Sequence, residues 1–255
     1  MYIGDIDSWR ILEAVKVPQF DELTACLIEK ANSISAAGWP VGLEAAMLPI
    51  KGMIIHPGKI GIAERNVLGR YIENREYNPQ RYSSYTEIAA FRMWKRRLHK
   101  DISVNDLCDS SYILSGFRSF RTKPSQTAPL ICGSYRQYLH HHLIVERINN
   151  LLAQINATNW PSTFLCAIAA YLDVLFIHPF SDGNGRLARL IFQTVLHTRG
   201  GLVAPVLPIA PIICANRKLM LDCYGALQKR DNPYPLIKFF AEALNMSARY
   251  RDMVI

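Results

Sequence analysis

The segment FLCAIAAYLDVLFI at 164–177 constrains the chain more than any other, because a long apolar helix stops there at a sequence built to turn. A helix is predicted over about 161–177. It is too short to span a bilayer. Pro179 disfavours helical geometry at His178, and Asp182, Gly183, Asn184 and Gly185 then supply turn-forming residues. A second helix is predicted to begin near Gly185. Any fold of this chain must therefore bring together the end of an apolar helix, a tight loop and the start of another helix.

That junction, HPFSDGNGRLAR at 178–189, also carries the densest chemistry. Two glycines let the backbone approach a ligand, and the first-turn amides of the new helix form an anion cradle at the positive end of its dipole. This is the pattern of a phosphate site. Arg186 and Arg189 lie three apart, so both can project from one helix face toward the same anion. Asp182 is a hard oxygen ligand suited to Mg²⁺ beside phosphates, and His178 can accept a proton near neutral pH.

Elsewhere helical spacing dominates. Apolar residues including Val15, Phe20, Leu23, Leu27 and Ile28 predict one or two helices between Trp9 and about Ala37, ended by Gly38, Trp39 and Pro40. Helical pieces are expected around 42–48 and 62–74. SYTEIAAFRMWKRRLHK at 84–100 reads as an amphipathic helix with Ile88, Phe91, Trp94 and Leu98 on one side, and Ser84 to Glu87 fits a capping box. Alternating residues in LSGFRSFR, a Lys-Pro-Ser break and then APLIC predict a short β-hairpin between Leu114 and about Tyr135. Helices follow at about 142–156 and in YPLIKFFAEALNMSARY after residue 233. The fold class is all-α with one small hairpin.

Composition narrows the function classes. The chain of 255 residues is half apolar and carries a net charge of +8, which admits acidic partners, nucleotides or nucleic acid without choosing among them. The basic helix face at 92–100 has no interleaved aromatics and reads as a solvated face, so nucleic acid is not the expected partner. Six scattered cysteines show no metal-ligand spacing, and MYIGDIDSW lacks the basic start of a signal peptide. The run near 201–215 holds three prolines, so no membrane anchor is expected. A cytoplasmic bacterial protein is expected, or one delivered into a host cell without a cleaved signal. His140, His141 and His142 are consecutive and would point about 100° apart on a helix, so no metal is expected there.

The 178–189 segment resembles the signature of the Fic family, His-Pro-Phe-x-Asp/Glu-Gly-Asn-Gly-Arg-x-x-Arg, at every defined position. The similarity extends more loosely over about 85–245. SGFRSFRTKPSQTAPLI resembles the family's flap hairpin, with Gly133-Ser134-Tyr135-Arg136 as a second match to its start, and 224–227 and 234–240 resemble its closing helices. The implied organisation is an N-terminal helical region at 1–84 and a catalytic domain at 85–255. The implied activity is transfer of AMP from ATP to a Tyr, Thr or Ser hydroxyl of a target protein, with auto-modification as a side reaction. In that picture His178 is the general base and Asp182 holds Mg²⁺. The amides of Gly183, Asn184 and Gly185 stabilise phosphate charge, Arg186 and Arg189 grip the β- and γ-phosphates, and Phe180 anchors the loop. The flap pins the target's backbone by strand addition.

The family resemblance leaves alternatives within and beyond adenylyl transfer. Other Fic proteins move UMP, GMP or phosphocholine, and the Doc branch phosphorylates its target but departs from the pattern at the positions of Asp182 and Gly185, which are intact here. A non-catalytic basic scaffold or nucleic-acid-binding protein is the reading from a different class. Many family members carry an inhibitory helix, Ser/Thr-x-x-x-Glu-Gly/Asn, whose Glu pairs with the motif's second arginine. Gly69 to Asn74 matches its Glu-Asn pair, which points to Glu73 as an inhibitory residue set against Arg189, while Ser83 to Glu87 offers the serine without the Gly/Asn.

Overall fold

The computed structural model describes residues 100–124, 128–129, 135–136, 138–157, 160, 162–202, 209–230 and 232–249, and short stretches at 12, 25–26, 28–29, 55, 57–60, 89–91 and 93–94. Seven helices lie among them: α1 (Val104–Ser115), α2 (Ile144–Asn156), α3 (Thr163–Ile177), α4 (Asn184–Gly200), α5 (Ile209–Ala215), α6 (Arg217–Arg230) and α7 (Tyr234–Arg249). The predicted all-α class is what the chain adopts, with one two-stranded pairing beside it.

The centre is α3 packed along α4. Thirteen of the fifteen α3 residues are buried, Asp173 and Tyr171 included, so this helix has no solvated face. Ser162 starts it by accepting a hydrogen bond from Leu165 N at 3.4 Å. α2 is amphipathic and turns Ile144, Ile148, Leu151, Leu152 and Ile155 inward, packing on α3. α7 packs on α3, α5, α6 and the turn at Pro57–Ile60. An aromatic seam joins the layers: Phe192 contacts Phe240 at 4.8 Å, Phe240 contacts Tyr171 at 4.9 Å, and Tyr224 donates its hydroxyl proton to that of Tyr171 at 2.9 Å.

The N-terminal part meets this core at several points among the described residues. Residues 89–91 and 93–94 are helical, with Phe91 and Trp94 buried as the expected apolar face requires, and Trp94 Nε1 donates to Ser110 Oγ at 3.1 Å. Ile55 N donates to Asn216 Oδ1 at 2.6 Å. Glu73, Ser83 to Glu87 and the expected boundary at 84/85 lie outside the described residues. No helix among the described residues is long and apolar enough to cross a membrane.

α1 packs on α4 and α2, and its ends are set by local chemistry. Ser103 caps it: Asp106 N donates to Ser103 Oγ at 3.3 Å, and Ser103 N donates back to Asp106 Oδ2 at 2.9 Å. Gly116, at φ +80°, closes the helix by donating to Tyr112 O at 2.8 Å. The hairpin differs from expectation. β1 (Ala128–Pro129) pairs antiparallel with β2 (Tyr135–Arg136), so its arms come from APLIC and GSYR. LSGFRSFR is no strand: Leu114 and Ser115 finish α1, and the chain from Gly116 runs as a loop. The physical reason is that Arg121 N donates to Pro179 O at 2.9 Å, which ties this stretch to the α3–α4 junction and not to a strand.

Candidate active site

The site begins where α3 ends. His178 takes φ +50° and ψ +59°, the one non-glycine residue with positive φ among those described, and its N–H closes the helix on Val174 O at 3.1 Å. A side chain in the left-handed region carries strain that surrounding structure must hold. Arg121 supplies the hold. Its Nε donates to His178 O at 2.7 Å, one terminal nitrogen donates to Lys123 O at 3.0 Å, and the other reaches both Leu139 O and Ile177 O, the latter at 3.3 Å. At 7% exposure this guanidinium is a buried cation satisfied by four carbonyls.

Around the His178 ring, Tyr138 stacks at 3.8 Å between centroids with 13° between planes. The Asn184 amide nitrogen lies 3.2 Å from Nδ1 and 3.3 Å from Nε2. That bond can be accepted only by an unprotonated ring nitrogen, so it favours neutral imidazole. Burial, with a further push from the Arg121 charge and an opposing pull from Asp182, lowers the His178 pKa to about 4. The ring is thus neutral throughout the neutral pH range.

The loop is locked by the same asparagine. Asn184 Nδ2 donates to Phe180 O at 2.8 Å while Phe180 N donates to Asn184 Oδ1 at 2.9 Å, a reciprocal pair that closes the turn. Phe180 is fully buried, with its ring centroid 5.2 Å from that of Phe120. Gly183 caps α4 at φ +79°, and a Cβ there would lie 2.6 Å from Ser115 Cβ. Close packing and handedness both demand glycine at this point. The first helical bond runs from Leu187 N to Gly183 O at 2.9 Å, so the N–H groups of Asn184, Gly185 and Arg186 have no acceptor within the helix.

The charged side chains ring this amide cluster. Arg186 donates to Leu114 O, the last turn of α1, and sits 3.4 Å from Asp182 Oδ2. Asp182 is 72% exposed and has that single ion-pair contact among the described residues, so its carboxylate can turn to a cation. Arg189 is buried next to Gly185, its nearest guanidinium nitrogen 3.8 Å from where a Gly185 Cβ would stand, and its charge reaches Tyr224. The structure therefore gathers His178, Phe180, Asp182, Gly183, Asn184, Gly185, Arg186 and Arg189 at one helix junction. It adds Arg121, Tyr138 and Ser115, which sequence reasoning missed: Arg121 reads there as a hairpin residue. One signal existed for α1, the Ser103-x-x-Asp106 capping pattern, which would have placed Leu114 and Ser115 beside the loop.

Residues 96–196 match the family model described as Fic/DOC family. Solved structures agree at the level of the fold. A Fic family protein from Desulfovibrio desulfuricans G20 superposes with TM-score 0.58 and 18% identity over 96% of this chain and 71% of that one. A Fic domain containing signaling protein from Bacteroides thetaiotaomicron gives 0.56 and 15% over 89% of this chain and 97% of that one. Fic-1 from C. elegans gives 0.52 and 17% over 91% and 71%. No curated protein matches this sequence.

Proposed function

We propose that this chain, which carries a Fic/DOC-family domain and is on that ground a Fic-type transferase, is a protein adenylyltransferase that moves AMP from ATP to a Tyr, Thr or Ser hydroxyl of a target protein. The observation that carries the reading is the left-handed His178 held beside the free N-terminal amides of α4. It supports a base and a phosphate-binding helix terminus acting at one junction.

The residues then divide the work. The unprotonated nitrogen of His178 takes the proton of the target hydroxyl as its oxygen bonds to the α-phosphorus. The bond from that phosphorus to the bridging oxygen breaks, and pyrophosphate leaves with the electron pair. The amides of Gly183, Asn184 and Gly185 face the phosphate oxygens, and Arg186 and Arg189 hold the β- and γ-phosphates. Asp182, exposed and lightly tied, fits the role of a Mg²⁺ ligand. Mg²⁺ held by Asp182 would supply charge neutralisation for the phosphates. Glu73, as an inhibitory residue against Arg189, belongs to the same reading.

The test is incubation of the purified chain with Mg²⁺, cell lysate and ATP labelled on either the α- or the γ-phosphate. Protein labelled from the α-phosphate supports adenylyl transfer. Label appearing only from the γ-position would make it a phosphotransferase, and no label from either would overturn the reading.

A further inference from the structure

We propose that His140, His141 and His142 form a separate site for a divalent transition metal such as Zn²⁺, bound through three imidazole nitrogens. The expectation that their side chains fan apart fails because the backbone is not helical throughout. His140 is extended at φ −61° and ψ +135°, and only then does a 3-10 turn begin at His141–Leu143. The rings consequently gather on one side. Their centroids lie 4.5 Å apart for His140 and His141, 4.8 Å for His140 and His142, and 4.0 Å for His141 and His142. One ligand nitrogen from each falls within 4.8 Å of the other two.

Tetrahedral zinc, with Zn–N bonds of about 2.0–2.1 Å, holds its ligand atoms about 3.3 Å apart. Closing the observed cluster onto an ion takes a shift of about 1.5 Å, within reach of rotation about the side-chain bonds of the exposed His140 and His142. The His141 Nδ1 atom adds an independent pointer: it is shut off from solvent and has no hydrogen-bond partner among the described residues. A buried ring nitrogen without a partner is costly, and a metal bond would satisfy it.

The donor set selects the metal class. Three neutral nitrogens suit Zn²⁺, Cu²⁺ or Ni²⁺ and not Mg²⁺ or Ca²⁺, which take oxygen ligands. No carboxylate among the described residues is bonded to the three rings, and none completes the set, so the fourth position goes to water or an outside ligand. The segment this ion would brace is the one in which Tyr138 stacks on His178 and Leu139 O receives Arg121.

The site stands apart from transfer chemistry, and its test contains neither ATP nor target. Zn²⁺ alone is titrated by calorimetry into the full-length chain and into the His140→Ala/His142→Ala variant, whose substitutions are both at exposed positions. The six cysteines and the histidines at 56, 99, 178 and 197 are common to both proteins and give the same background. Expected are one additional equivalent bound by the wild type, weakened at least tenfold in the variant, and visible bands of four-coordinate Co²⁺ in the wild type alone. His141→Ala should weaken binding comparably while keeping the far-UV circular dichroism of the wild type. Equal zinc stoichiometry and affinity in the wild type and both variants would overturn the proposal.

Discussion

Arg121 holds His178 from behind: its Nε donates to the His178 carbonyl at 2.7 Å, while its other nitrogens fix the carbonyls of Lys123, Leu139 and Ile177. The proposed base keeps a left-handed backbone because a buried cation from a distant loop is fitted around it.

Arg121→Lys retains the charge but loses the planar fork, so it cannot serve four carbonyls at once. The expected outcome is a fall in kcat on the order of 10²-fold with little change in KM for ATP, since a displacement of about 1 Å at a reacting group costs that much. Steady-state kinetics of labelled-AMP transfer would check it. Equal loss in the KM term would place Arg121 in ATP binding instead.

His178→Ala should lower transfer by about 10²–10⁴-fold, the usual span for loss of a general base, while ATP binding persists. Calorimetric ATP titration beside the transfer assay separates the two. A folded variant with wild-type transfer would remove His178 from the reaction.

Gly183→Ala and Gly116→Ala form a matched pair, with φ +79° and +80°, but a Cβ at Gly183 meets Ser115 at 2.6 Å whereas one at Gly116 meets nothing within 4 Å. Left-handed strain costs both roughly 1–2 kcal/mol. Urea denaturation should show Gly183→Ala to be the more destabilised of the two, and Ser115→Gly should recover part of the difference in the double variant.

The pH dependence has a definite sign. The folded His178 pKa of about 4 lies below the ordinary 6.5, so between those values the unfolded chain binds the extra proton and stability falls as pH drops. Above pH 6.5 this contribution is complete and flat. Thermal melting should therefore give a smaller loss between pH 6.5 and 4.5 for His178→Gln than for the wild type.

Much of this site was legible because it is local. Pro179, the two glycines and the paired arginines all act within one loop and one helical turn, so spacing alone locates the end of α3 and the start of α4. The clamp was not legible, because it joins positions 57 residues apart in sequence. Arg121 alternates with apolar neighbours as a strand residue would, and nothing local shows that its donors are committed to another loop. Asn184 was read for its backbone amide, yet its side chain closes the turn and touches the His178 ring. The fanned geometry expected of three consecutive histidines failed for a related reason: periodicity assumes a helix, and His140 precedes the first helical turn.

The burial of thirteen of fifteen residues in α3 divides what selection can change from what it cannot. A substitution on that helix disturbs packing before it can alter chemistry, so the end of α3 is held in place by a core that tolerates little change. The exposed residues Phe117 and Arg118 on one loop and His140 and His142 on another carry no such burden. On the reading proposed above, changes at those exposed positions can alter what the chain docks against while the α3–α4 junction keeps its geometry.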